Sequence, residues 1–261
     1  MPEELRLSVS KTKCFEQCKK QFEFNYILKF PKKERDYHVL GKFCHGVLEW
    51  FHKQYIEGCL LPYNITMTDA FKATWEEYKG KMTPEMKKEC WAIVDQYLRL
   101  VSSNKRDGKP FNVLAVEKRF ELPLAGNIIL NGAIDRVQLD DDDVLHVSDY
   151  KTTKNKKYLK DDWFQLMTYG MVLLNDQPDL KKIRVSYILL RHNFEYITKE
   201  FSAAELKGAE KKFIEYATQI RGAKEYPATT SALCNFCDFQ EHCVEGKSMS
   251  RDNSMYGEVS W

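Results

Sequence analysis

This chain of 261 residues lacks any run of about 18 consecutive apolar residues, which leaves no candidate for a helix across a bilayer. Its first residues, MPEELRLSVSK, lack the apolar stretch of a secretory signal, and a cytoplasmic protein is expected. No internal repeat or low-complexity linker interrupts it. Charge of one sign is also scarce: 40 basic and 38 acidic residues leave a net charge of +2, so attraction to nucleic acid has to come from local patches. A nucleotide-binding loop is missing as well. EGKSMS mimics the end of one, but Glu241 stands where the first glycine is required. An ATP-driven motor is therefore excluded from this stretch of chain.

Cysteine is not scarce. Eight are present, and in a cytoplasmic protein they are not expected to pair as disulfides. Cys234, Cys237 and Cys243 crowd into CNFCDFQEHC, while Cys14 and Cys18 lie near the other end. That spacing, with a distant fourth cysteine, suits either a structural zinc or an iron–sulfur cluster. Cys14 and Cys18 are four apart on one expected helix, so both are candidates for the fourth position. Cys44, Cys59 and Cys90 sit in helical patterns and read as core or boundary residues. Two basic patches stand out, KTKCFEQCKKQFEFNYILKFPKK and KTTKNKKYLK. In the first, lysines interleave with aromatics in a way that suits base stacking beside a phosphate track. Phe22 and Tyr26 share a helical face, so core packing is the simpler reading for them.

Up to about residue 104 the hydrophobic period is helical, with a serine start signal before VSKTKC and a Thr-Pro start before EMKKEC. The period then becomes two. NVLAVEKRFELPL, IILNGAIDRVQL and VLHVSDYK read as three consecutive antiparallel strands, followed by a helix in DDWFQLMTYGMVLLND, two strands and a helix over about 202–222. In VLHVSDYK, residues Leu145, Val147, Asp149 and Lys151 share one face, so a core stripe ends in an acid and a lysine. A three-residue loop at Asp141–Asp143 pairs Val137 with Val147 and sets Asp135 opposite Asp149. A two-residue turn would instead put the acids on opposite faces, with one apolar stripe turned outward. Facing carboxylates at the rim of a core need a cation, and oxygen donors point to Mg²⁺ or Mn²⁺. The adjacent lysine can hold water or steady phosphorane charge.

The arrangement GAID…VSDYK resembles the PD-(D/E)XK nuclease superfamily, with Asp149 in place of the commoner glutamate. GKFCHGVLE resembles the G-x-x-x-H helix of the RecB-like branch, and QLMTYG its Q-x-x-x-Y helix. SVSKTKCFEQCKK resembles its opening segment, although Lys19 replaces the usual proline after Cys18. The resemblance implies a restriction-endonuclease-like α/β core, a central mixed sheet flanked by helices, with N-terminal helices and a C-terminal cysteine segment. It implies catalytic roles for Asp135, Asp149, Lys151, Gln165 and Tyr169, and Mg²⁺ or Mn²⁺ held by His45, Asp135, Asp149 and the Tyr150 carbonyl. It also implies a [4Fe–4S] cluster on Cys18, Cys234, Cys237 and Cys243, with structural zinc as the alternative, as in the iron–sulfur exonucleases of CRISPR and phage type. Glu117 occupies a position where relatives often carry glutamate, yet a solvated or salt-bridged strand residue is the simpler reading.

The expected organisation is a single nuclease domain over 1–244, helical over about 8–104 and catalytic over about 110–222, with a flexible tail at 245–261. The expected function is a metal-dependent DNA nuclease, an exonuclease preferring single strands. A recombination, helicase or CRISPR-adaptation partner would be a separate chain. The competing expectation is a non-catalytic DNA-binding or assembly subunit that keeps the fold.

Overall fold

The computed structural model describes residues 3–103, 105–106, 109–156 and 162–249. Two compact units can be distinguished among them, the larger from residues 35–120 and 133–209, the smaller from residues 3–34, 121–132 and 210–249.

The larger unit has the mixed α/β architecture that the change of period implies. A short antiparallel pair, β2 (Lys105–Arg106) and β3 (Lys109–Pro110), precedes the main sheet. Strands β4 (Val113–Leu124), β5 (Ile128–Leu139) and β6 (Leu145–Lys151) follow one another, with β4 paired to β5 and β5 antiparallel to β6. Helix α6 (Phe164–Asp176) then crosses back so that β7 (Lys182–Leu189) lies parallel to β6, and β8 (Glu195–Ser202) returns antiparallel. The register has Val137 opposite Val147 and Leu139 opposite Leu145. Asp143 turns the loop with φ of 58°, a left-handed conformation that aspartate tolerates. The three-residue loop is thus the one that keeps both apolar stripes on one face.

Three helices, α3 (Asp36–Ile56), α4 (Tyr63–Tyr78) and α5 (Pro84–Ser103), share one apolar cluster with Tyr150, Ile188 and Leu190 of the sheet region. Val39, Phe43, Val47 and Phe51 recur on one side of α3 and are buried, each worth about 1.5–3 kcal/mol of transfer free energy. Gly41 lets that helix approach the chain just after β6, since a Cβ there would lie 3.1 Å from Thr152 Oγ1.

The smaller unit opens with strand β1 (Leu5–Leu7), which pairs in parallel with the first residues of β5 and which the hydrophobic pattern does not announce. Ser8 caps helix α1 (Val9–Gln17), accepting from Lys11 N at 3.2 Å. The single long helix expected from Ser8 onward does not form. It stops at Cys18, whose backbone is extended (φ −159°, ψ 112°), and restarts as α2 (Lys19–Phe22) and a π-helical turn at Glu23–Ile27. Cys14 and Cys18 therefore do not share a helical face. Phe15, Phe22 and Phe239 form the buried centre of this unit. Helix α7 (Ala203–Gly222) leads to turns at Ala232–Phe236 and Gln240–His242 and to helix α8 (Val244–Met249). Of the expected tail at 245–261, residues 250–261 lie outside the described residues, and the part before them is helical. No described helix is long and apolar enough to cross a membrane.

Candidate metal centre and cysteine cavity

In the larger unit, His45 on α3, Glu117 on β4 and Asp135 on β5 bring one ligand atom each within 4.8 Å of one another. His45 Nδ1 lies 3.5 Å from Asp135 Oδ2 and 4.0 Å from Glu117 Oε1. The other ring nitrogen, Nε2, sits 3.2 Å from the Tyr150 carbonyl, which orients the imidazole. Tyr150 N donates to Asp135 Oδ2 at 2.8 Å, so one residue of β6 steadies both His45 and Asp135. Burial, then the Asp149 charge, holds the Asp135 carboxyl well above the usual carboxylate range. Glu117 is raised by burial and by Glu49, and His45 is lowered by burial. Carboxylates crowded in this way favour a cation between them.

Beside it, Lys151 Nζ lies 2.7 Å from Asp149 Oδ2 and donates to Gln165 Oε1 at 3.2 Å. Gln165 Nε2 donates to Asp149 Oδ1 at 2.6 Å and to the Tyr169 hydroxyl at 2.9 Å. The four-residue spacing of Gln165 and Tyr169 on α6 makes this joint contact possible. Burial alone would lower the Lys151 pKa, but the Asp149 charge and hydrogen bond more than offset it and leave the ammonium raised. Every expected residue of this site is thus in one neighbourhood, in two interlocking sets. His45 and Asp135 face the shared ligand point, while Asp149 is held by Lys151 and Gln165. A cleft of about 790 Å³ opens onto His45, Glu117 and Asp135 between α3 and α4.

Arg136 is not signalled by the sequence, and Glu117, flagged by the resemblance, reads there more simply as a solvated or salt-bridged strand residue. Glu117 adopts φ of 44° inside a strand. Exposed residues of β4 fall at Leu114 and then at Arg119, Glu121 and Pro123, so the alternation slips by one between them. An extra strand residue produces such a slip and re-aims the side chain beside it. Arg136 is fully buried, with its guanidinium donating to the hydroxyls of Tyr97 (3.1 Å), Tyr150 (3.4 Å) and Tyr196 (2.6 Å). It fixes the side chain of Tyr150, whose backbone holds the metal-centre residues. By contrast His52, seven residues after His45 on α3, is buried against the Tyr97 hydroxyl at 2.6 Å and reads as core.

In the smaller unit, Cys18, Cys234, Cys237 and Cys243 all line one cavity, and Cys14 does not. Backbone N–H groups of Thr229, Ser231 and Gly246 point at Cys18, Cys234 and Cys243 Sγ at 3.4, 3.4 and 3.3 Å. Burial pushes the Cys14 thiol up to about 11. All eight cysteines are free, and Cys44 and Cys90 face each other in the core of the larger unit with sulfurs 3.7 Å apart.

A family model for the PD-(D/E)XK nuclease superfamily matches residues 6–244. The chain belongs to that superfamily. Among curated proteins it is similar to an ATP-dependent helicase/deoxyribonuclease subunit from Streptococcus pyogenes, in serotypes M49 and M1 alike, 24% identical over 158 residues. That match takes in 58% of this chain and 14% of the relative, so the chain corresponds to a small part of that protein. Among solved structures it is similar to a Eubacterium rectale protein named "Putative exonuclease", with a TM-score of 0.53, 11% identity and coverage of 98% of this chain and 91% of that one. The likeness is one of fold. PD-(D/E)XK nucleases use divalent metals, and the donor set of His45, Glu117 and Asp135 could hold such an ion.

Proposed function

We propose that this PD-(D/E)XK protein hydrolyses phosphodiester bonds of DNA at the His45–Glu117–Asp135 cluster, using Mg²⁺ or Mn²⁺. One observation carries the reading: ligand atoms of three side chains from three elements meet beside a Lys151–Asp149–Gln165 lattice. The donor set fits the ion. Two carboxylates suit hard cations, and the imidazole widens the choice toward Mn²⁺. A cation bound there supplies charge neutralisation at the scissile phosphate. Lys151, kept protonated by Asp149, donates to a non-bridging phosphate oxygen as charge builds on it. Gln165 holds the Asp149 carboxylate and the Lys151 ammonium in one orientation, and Tyr169 holds Gln165. Asp149, which the resemblance names as a further ligand, has its two carboxylate oxygens engaged by Lys151 and Gln165 and would hold the ion only by exchanging one of them.

The finer reading is a cytoplasmic exonuclease preferring single strands, of the iron–sulfur type found in CRISPR and phage systems. A helicase or recombination partner would come from another chain, as the name of the S. pyogenes relative suggests. For the cysteine cavity we favour [4Fe–4S] over zinc. All four cysteines line one cavity. Three of their sulfurs receive backbone N–H donors, and the resemblance to the iron–sulfur branch favours the cluster. Its binding energy would join the two ends of the smaller unit.

The test is anaerobically purified protein with end-labelled single- and double-stranded DNA in Mg²⁺, Mn²⁺ or EDTA, alongside iron and sulfide analysis. Shortening of the single strand from one end, dependent on the cation, is expected. Absence of cleavage under all conditions would instead favour the DNA-binding subunit. Zinc without iron or sulfide would refute the cluster.

A further inference from the structure

The interleaved lysine and aromatic segment acquires a definite geometry in the smaller unit. Lys11 on α1 and Lys32 lie far apart in sequence, yet both ammoniums sit over the ring of Tyr26, at 5.4 and 5.9 Å from its centroid. An aromatic face attracts a cation and restricts its motion. Neither lysine has a carboxylate partner among the described residues. Lys11 donates to the Arg6 carbonyl at 2.9 Å, and the nearby acids Glu4 and Glu121 are taken by Arg6. Neighbouring lysines differ: Lys20 is paired with Glu23 at 2.7 Å, and Lys33 with Glu241 at 2.6 Å. Two cations are thus held on one ring with their charge unspent. Immediately after Tyr26, at the end of the π-helical turn, Ile27 and Leu28 are 52% and 50% exposed.

We propose that Lys11, Tyr26 and Lys32 form a clamp for the phosphate chain of a single-stranded nucleic acid, whose unpaired bases rest on Ile27 and Leu28. The inference rests on the reading that the substrate is DNA and adds a binding surface built from residues outside the metal centre. Pre-positioned ammoniums lose less freedom on binding than free lysines do. A duplex hides its base faces, so the exposed aliphatic pair favours a single strand.

The experiment measures oligothymidylate binding in EDTA by fluorescence anisotropy across a salt series, comparing wild type with the Lys11→Glu/Lys32→Glu double variant. We expect binding weakened about tenfold or more. The salt slope should be shallower by roughly 0.7 for each phosphate that the variant no longer neutralises. Lys207→Glu, an exposed lysine of α7, should change neither. Hydrolysis of bis(p-nitrophenyl) phosphate in Mn²⁺ should match wild type, because a small ester has no strand to clamp. If the charge-reversed protein fails to fold by circular dichroism, Lys11→Gln/Lys32→Gln replaces it. Unchanged affinity and slope would overturn the clamp, as would equal wild-type affinity for a blunt duplex. Because binding is read without cleavage, an inactive wild type would remove the nuclease reading and leave the clamp standing.

Discussion

The acid cluster and the cysteine cavity both gather metal-ligating side chains, but they are held in opposite ways. Around the acids, each ligand stands on a long regular element: His45 on α3, Glu117 on β4, Asp135 on β5. The cysteines stand on short turns and at helix breaks, with Cys18 between two helices and Cys234 in a five-residue turn. A scaffold of strands and packed helices keeps its geometry without the ion and bears the cost of crowding buried carboxylates. A cavity built from turns, on the proposed reading, draws stability from the group it binds. On the proposed readings, one site is a stability cost kept for chemistry, and the other a stability source without chemistry.

Removing the metal-binding or charge-bearing group should therefore do different things in the two places. The largest effect expected is on catalysis: Lys151→Ala should slow cleavage on the order of 10³-fold, while the melting temperature stays near that of wild type. Wild-type cleavage rates in that variant would remove Lys151 from the chemistry. In the cysteine cavity, Cys234→Ala should cost on the order of 3 kcal/mol or more, seen as lost solubility and colour. A soluble, equally stable Cys234→Ala protein would erase the contrast.

The smallest effect sharpens it. Folding of the metal-free protein favours a protonated Asp135, because burial and Asp149 raise its pKa. That contribution is present below the ordinary carboxylate pKa of about 3.9 and is lost as pH rises through the raised value. Cation binding, which displaces the proton, should tighten over the same rise. Asp135→Asn can still accept from Tyr150 N. It should abolish cleavage, yet melt a few degrees higher than wild type at pH 8 in EDTA, by about 1 kcal/mol. The gain should shrink toward pH 5. A variant that melts lower at pH 8 would contradict the idea that the acids strain the fold.

The regular part of the larger unit was legible because its signals were local. The aspartate-rich loop, with Asp143 able to turn left-handed, and the two apolar stripes admitted one register, and that register carried Asp135 and Asp149 together. The i,i+4 spacing carried Gln165 and Tyr169. What was illegible depended on contacts far along the chain. Glu117 is aimed by a slip in strand alternation that no residue type announces. Arg136 looks like a surface residue until Tyr97, Tyr150 and Tyr196 enclose it. The break at Cys18 overrides a helical pattern that runs unbroken through the sequence, and β1 is three residues whose partner, the start of β5, lies more than a hundred positions away.

The central claim is that His45, Glu117 and Asp135 hold the cation that cuts DNA. Its most direct measurement is single-turnover cleavage of an end-labelled single strand against Mn²⁺ concentration, for wild type and Glu117→Gln. The account predicts that Glu117→Gln needs about 10–100-fold more Mn²⁺ for half its maximal rate, with that maximum approached at saturation. An unchanged Mn²⁺ requirement would contradict it.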